Sequence, residues 1–236
     1  MFARWQPPGA CGRYSRKHLE IVAAARPALA VAAGFAAGAI PFSNLMARRA
    51  AGVDLRDVGT GTVSGSGLQK VAGAGPLAVV GIFELAKGAL GPALAGRSHP
   101  VAAALAGAAA VSGHNWSPWL GGAGGRGISP AIGSLLVNGP AGSAVLLAGL
   151  AGGKLAGETA LGSVVAYALL VPLTARVHGR HGAFAAAAVL VPIVAKRLMG
   201  NARPAEASAC VYLNRLFFDR DTVRKTAAAA PRGRAN

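Results

Sequence analysis

Acidic residues are scarce in this chain: 8 Asp and Glu stand against 24 Lys and Arg among 236 residues, and charged residues of either sign make up only 14%. So sparse a charge excludes an ordinary soluble domain, in which about a quarter of residues are charged. Aromatic residues are as rare, at 6%, so apolar stretches of Ala, Gly, Leu and Val must pack through small side chains rather than large rings. Only Cys11 and Cys210 occur, in opposite tails, which excludes a disulfide framework. The spacing G-x-x-x-x-G-K-[ST] is missing too, and nucleotide hydrolysis has no support without it.

What is present points to a membrane. Hydrophobic residues make up 53% of the chain, with 34 glycines and a mean hydropathy of +0.45. That composition is expected of an all-α, polytopic integral membrane protein. The net charge of +16 gathers in the two tails and the first loop, where it suits anionic lipid headgroups or anionic substrates. Basic charge beside apolar spans reports topology, so nucleic acid is not an expected partner.

Residues 1–26 read as a basic leader with Arg4, Arg13, Arg16, Lys17 and Arg26, followed by a membrane domain over 27–199. The first apolar run, 27–47, is long enough to span, and others recur near 71–96, 99–113, 128–151, 159–175 and 182–199. Asn138, Gly139 and Pro140 interrupt the fourth, because proline cannot continue a helical hydrogen-bond ladder. Split there, the count becomes about seven transmembrane helices, some short or broken. Seven spans put Arg56, Arg126, Lys154 and the tail with Lys196, Arg197 and Arg203 on one side, the cytoplasmic one, although they leave the basic leader on the other. The segment 211–223 interleaves apolar residues with Arg215 and Arg220, so an interfacial helix is expected within a basic cytoplasmic tail over 200–236.

Two glycine-rich loops lie between the apolar segments, V-G-T-G-T-V-S-G-S-G over Val58–Gly67 and G-G-A-G-G-R-G over Gly121–Gly127. Glycine lets backbone N–H groups crowd around an anion, and Arg56, Lys70 and Arg126 add charge, so both suit phosphate. The competing reading is that the glycines only permit tight turns. Glu84 and Lys87 share one helix face inside a span, either neutralising each other or serving a site. His114 ends the third apolar run, just before the second loop; at such a boundary a histidine is often only an interfacial residue.

In order and spacing, these residues resemble the bacterial acyl-phosphate:glycerol-3-phosphate acyltransferases, the PlsY family. G-A-I-P-F-S-N-L (Gly38 to Leu45) is similar to the family's G-S-I-P-F-x-x-L, D-L-R-D-V-G-T-G-T (Asp54 to Thr62) to D-x-R-x-x-G-S-G-N, and F-E-L-A-K-G (Phe83 to Gly88) to L-D-x-x-K-G. G-H-N-W-S-P-W-L-G-G-A-G-G-R-G (Gly113 to Gly127) resembles G-H-x-x-P-x-x-x-x-F-K-G-G-K-G, and A-L-G-S (Ala160 to Ser163) resembles S-L-G-S. The resemblance implies a seven-helix enzyme of the bacterial cell membrane, with its active face cytoplasmic and no cofactor or metal. It would move a fatty acyl group from acyl phosphate to the sn-1 hydroxyl of glycerol 3-phosphate, giving lysophosphatidate. Acyl phosphate is already activated, so no serine or cysteine nucleophile is required, and catalysis reduces to positioning and charge stabilisation.

On that reading His114, Lys87 and Arg126 are catalytic. Arg56 and Lys70 would grip glycerol 3-phosphate, Gly124, Gly125, Arg126 and Gly127 would cradle the acyl-phosphate head, and Thr60, Gly61 and Ser129 complete the substrate-binding set. The chain departs from the family at both asparagines of the first loop, at Ala160, at Arg126 in place of lysine, and at Val191 and Val194 in place of the histidine and asparagine of H-x-x-N-I-x-R-L. Those departures leave as an alternative a relative without turnover that binds lipid precursors or regulates a true acyltransferase, and the cations within the membrane domain leave another, a small-anion transporter.

Overall fold

A computed structural model describes residues 10–201, 204 and 208–219. Arg4 of the leader and Arg220 and Val223 of the tail lie outside the described residues. Among the described residues the secondary structure is helical throughout, with no strand. The helices are α1 (Ala10–Ala39), α2 (Phe42–Ala51), α3 (Gly65–Ala72), α4 (Ala74–Ala95), α5 (Pro100–Asn115), α6 (Ile128–Asn138), α7 (Pro140–Leu155), α8 (Thr159–Met199) and α9 (Ala209–Phe218).

The distribution of side chains is that of a bundle surrounded by lipid. Alanines such as Ala106, Ala110, Ala131 and Ala186 fill the interior, while Leu29, Ile82, Val101, Leu147 and Val177 stand exposed. Without a hydrophobic drive between helices, small residues allow the close backbone approach on which helix association in lipid depends. A methyl group on Gly34 or Gly38 of α1 would strike the Ala106 or Ala110 carbonyl of α5, so these two helices run parallel in intimate contact. Gly88 and Gly133 bring α4 and α6 together in the same way, against Pro130 and Leu85.

Two hairpins build the second half. Ser143 Oγ donates to the Ile132 carbonyl at 2.8 Å, so α7 folds back along α6 about the Asn138-Gly139-Pro140 break. A straight α8 of 41 residues would be about 60 Å long, twice a bilayer's hydrocarbon core. It is not straight. Gly179 takes φ 62° and ψ −155°, a conformation that strains any residue with a Cβ. The two legs of α8 run antiparallel from there, and Arg197 Nη2 reaches the Ala160 carbonyl at 3.2 Å. The apices of both hairpins meet, His178 Nε2 accepting from the Ala141 amide at 3.2 Å.

Besides the shorter α2, α3 and α9, the described residues therefore make seven helical legs: α1, α4, α5, α6, α7 and the two legs of α8. Three helical stretches, Ala23–Ala51, Ala74–Ala95 and Thr159–Met199, are long and apolar enough to cross a membrane. The end of α5, the start of α6 and the end of α8 lie at the pole opposite the two apices, and the glycine loops lie there with them.

Three details differ from the expectations. The run expected to be helical through 27–47 breaks at Ile40 and Pro41, where α1 ends and α2 begins, because proline offers no amide and forces the preceding residue out of helical backbone. Helix α1 also begins at Ala10, well inside the stretch read as a leader. Arg215, expected at an interface, is buried within the fold, donating to the Leu198 and Met199 carbonyls at 3.1 and 2.8 Å. It satisfies orphan acceptors at the end of α8 and anchors α9 to the bundle.

Candidate functional site

Proline at 41 stops α1 near the level at which α4 presents Glu84 and Lys87, and α5 ends there with His114. The Lys87 ammonium lies 2.8 Å from Glu84 Oε2 and 3.0 Å from His114 Nδ1, and donates to the Ile40 carbonyl at 2.9 Å. That carbonyl lies outside the helical ladder because α1 has just ended, and it also accepts from the Phe42 amide at 3.1 Å. His114 Nδ1 is also 3.2 Å from Glu84 Oε2, and Ser43 Oγ donates to Glu84 Oε1 at 3.4 Å. Both contacts of Oε2 are ion-pair distances rather than aligned hydrogen bonds. Glu84 and Lys87 are each about 4% exposed, so charge here is held by partners and not by water. Where Lys87 donates to Nδ1, the ring proton belongs on Nε2, the edge that faces Gly125.

The second loop closes over this cluster. Gly125 donates to the His114 carbonyl at 3.2 Å, and a Cβ at 125 would collide with the His114 ring, as one at 124 would with the His114 and Asn115 carbonyls. The first loop is stitched to the second, since the Val63 amide donates to the Gly124 carbonyl at 3.1 Å. Asn201 completes the junction. Its Nδ2 donates to the Gly61 and Gly124 carbonyls, both at 3.0 Å, and its Oδ1 accepts from the Gly124 amide at 3.2 Å.

That stitching changes what Gly124 and Gly125 do in this state. Both amides, expected to cradle an anion, are engaged by Asn201 and His114, and both glycines are required by close approach. The free donors move one turn onward, to the amides opening α6 after its N-cap Gly127, where the helix leaves donors without internal partners. Ser129 is exposed in that turn.

Arg126 turns the other way. It is 8% exposed, donates through Nη1 to the Lys196 carbonyl at 3.2 Å and pairs through Nη2 with Asp219 at 2.7 Å. Lys196, beside it, donates to the Gly122 carbonyl at 3.3 Å and lies over the Trp116 ring at 5.4 Å.

Arg56 is on the open side of the first loop. Asp54 caps the short 3₁₀ turn Leu55–Asp57 by accepting from the Arg56 amide at 2.9 Å, and its carboxylate pairs with Arg56 Nη2 at 2.8 Å and with Arg48. The hydrogen bonds from Arg56 hold the Asp54 carboxyl well below the usual carboxylate range, and Asp54 in turn raises Arg56. Thr60 and Lys70 are exposed nearby in sequence, and the Thr60 and Thr62 hydroxyls lie 2.9 Å apart. The structure thus joins Lys87, His114, Gly125 and Gly124 through direct contacts and Gly61 to them through Asn201, while Arg56, Thr60, Lys70 and Ser129 stand at the surface.

Ser43, Lys196, Asn201 and Asp219 have no role predicted from sequence, and Glu84 only an undecided one. Of these, Ser43 and Glu84 carry a sequence signal, their places within G-A-I-P-F-S-N-L and F-E-L-A-K-G. Val191 is 68% exposed on the outer face of α8, so a polar group there would meet lipid. A cavity of about 590 Å³ between α7 and the first leg of α8 opens sideways and shares none of the site residues.

Comparison with known proteins bears on the family and the fold. The family model described as glycerol-3-phosphate acyltransferase matches residues 28–203. A glycerol-3-phosphate acyltransferase of Synechococcus sp. (strain CC9902) is 34% identical over 170 residues, covering 70% of this chain and 84% of that protein. One from Shouchella clausii (strain KSM-K16) is 36% identical over 104 residues, and there the chain spans about half of the relative's length, 51%, with 42% of its own. In fold, the chain is similar to the crystal structure of PlsY (YgiH), an integral membrane glycerol 3-phosphate acyltransferase, in its glycerol 3-phosphate form. The TM-score is 0.65 at 24% identity, covering 72% of this chain and 88% of that one.

Proposed function

Because the chain belongs to the glycerol-3-phosphate acyltransferase family, we propose that it moves a fatty acyl group from acyl phosphate to the sn-1 hydroxyl of glycerol 3-phosphate, releasing phosphate and lysophosphatidate. The observation that carries this reading is the joining of both glycine loops directly above the buried Glu84, Lys87 and His114 cluster. Two phosphorylated substrates need two anion sites close enough for a hydroxyl of one to reach the acyl carbon of the other, and stitched loops meet that need.

The chemistry asks little of the protein beyond placement. The acceptor hydroxyl attacks the acyl carbonyl carbon, the bond from that carbon to the phosphate oxygen breaks, and the hydroxyl proton leaves with the inorganic phosphate or passes to a nearby base. His114, held by Lys87 and Glu84, is the candidate oxyanion donor at that point, through the proton on Nε2. The amides opening α6 balance charge on the departing phosphate, Arg126 joins them when it leaves its Asp219 pair, and Arg56 with Lys70 holds the acceptor phosphate. Pre-organised donors aimed at developing charge commonly contribute the largest share of such catalysis.

The seven legs serve as seven membrane crossings, with the site pole cytoplasmic: Arg56, Arg126, Lys154 and Lys196 then share the positive side. The exposed Tyr212, Leu213, Phe217 and Phe218 of α9 lie in the headgroup region of that leaflet. The test is the purified chain in proteoliposomes given acyl phosphate and glycerol 3-phosphate. Coupled appearance of phosphate and lysophosphatidate is expected; no turnover with any polyol phosphate would overturn the reading. A second reading, a relative that binds these substrates without turnover, draws on the engaged Gly124 and Gly125 amides and would be left by saturable glycerol 3-phosphate binding without phosphate release.

A further inference from the structure

Asn201 stands two residues beyond the end of α8, and its side chain uses both of its ends. Two donations from Nδ2, to Gly61 of the first loop and Gly124 of the second, and one acceptance at Oδ1 from the Gly124 amide make a three-bond staple between segments far apart in sequence. Only a carboxamide does this with one short side chain: serine offers a single donor, and an ionised aspartate accepts without donating. The base of the staple is fixed as well. Arg215 ties the Leu198 and Met199 carbonyls, and Gly200 closes α8 at φ 66°.

The first loop of this chain, 58–67, contains no asparagine or glutamine of its own. We infer that Asn201 is a positioning residue, which holds the two glycine loops at one separation and so sets the distance between the two phosphate-bearing substrates. Its role in turnover rests on the acyltransferase reading; the staple itself does not. Effective molarity is lost steeply when reacting groups drift by an ångström, so a loosened junction weakens both substrates together.

The experiment has two arms on the full chain, comparing wild type, N201A and the near-isosteric N201D. Hydrogen–deuterium exchange in detergent micelles should be faster over 58–67 and 121–127 in both variants, by roughly tenfold or more, while α5 and α7 exchange as in wild type. Unchanged exchange in the loops overturns the inference. In the acylation assay both variants should raise KM for acyl phosphate and for glycerol 3-phosphate together, each by about tenfold. A merely structural role would lower the active fraction and leave both KM values alone. Wild-type kinetics for N201D would also overturn the inference, since shape alone would then suffice. If wild type shows no turnover, the function fails while the exchange arm still decides the staple, and N201S carries the same comparison should N201A not fold.

Discussion

The molecule contains two clusters of one recipe: a carboxylate shared by two bases. Asp54 lies between Arg48 and Arg56 in the first loop, and Glu84 lies between Lys87 and His114 inside the bundle. They differ in surroundings. The arginines of the first are 56% and 40% exposed, so water and salt share the work of holding charge, and an arginine can leave its aspartate for a better anion. The second is sealed among helices, where every charge depends on its neighbours. Exposure makes the first cluster suited to capturing a ligand, and burial makes the second suited to holding a fixed geometry.

The sharpest way to break that contrast is to remove each carboxylate. Glu84→Ala leaves the Lys87 ammonium buried without its counter-charge, and loss of one partner from a buried pair costs about 3–5 kcal/mol. A large drop in melting midpoint in detergent, with turnover lost, is expected. Asp54→Ala, which loses a cap and two exposed ion pairs, should lower that midpoint far less. Equal shifts in the two variants would show that the clusters do not differ as their burial says.

Next in size is Arg126→Ala. With charge stabilisation of the departing phosphate removed, kcat/KM should fall by about 100- to 1000-fold, read as phosphate release. Because Arg126 also pairs with Asp219, Asp219→Asn separates its two duties: it removes the pair and leaves the guanidinium, so turnover should persist. A collapse as deep as that of Arg126→Ala would make the ion pair, and not the cation, the essential feature.

Much of this contrast is legible in the chain, and the reasons it is not all legible are physical. The glycine loops, the Glu84 and Lys87 pairing, and the break at Asn138-Gly139-Pro140 are local patterns, and local patterns survive into structure. The stop at Pro41 escapes a reading by hydropathy, which runs on across it while the helix does not. Arg215 reads as an interfacial cation from its alternation with apolar residues, yet the carbonyls at the end of α8 supply acceptors that no periodicity announces. Asn201 and Asp219 act on residues some 77 and 93 positions away, and a side chain reaching that far leaves no mark in the local sequence. Gly124 and Gly125 carry a phosphate-loop pattern, but which of their amides are engaged depends on Asn201 and His114.

A smaller effect probes the first cluster alone. Asp54→Asn removes the charge that orients Arg56, and a several-fold rise in KM for glycerol 3-phosphate with kcat unchanged is expected, the signature of lost uniform binding. The acidity of Asp54 adds a pH test. A carboxylate whose folded pKa is depressed stabilises fully above its unfolded value, about 3.9, and gives that up only as pH falls through the lower folded value. Protease cleavage within 53–62 should therefore be flat from about pH 5 to 8 and rise only in stronger acid. A rise near pH 6 would point to a histidine and not to Asp54.

The smallest effect belongs to Arg48→Ala. Arg48 pairs with Asp54 from α2 and touches no residue of the substrate-binding set except through that carboxylate. Arg56 keeps its own bonds to both Asp54 oxygens, at 3.1 Å and 2.8 Å, so removing Arg48 leaves the clamp on Arg56 in place. Little change in either KM is expected at ordinary salt. A modest difference should open at low ionic strength, where the Debye length grows to about 30 Å at 0.01 M and a lost surface cation is felt at the acceptor site. Because only screening separates the two conditions, the same small difference at high and low salt would mean that Arg48 shapes the loop, and the first cluster would then serve structure no less than the second does.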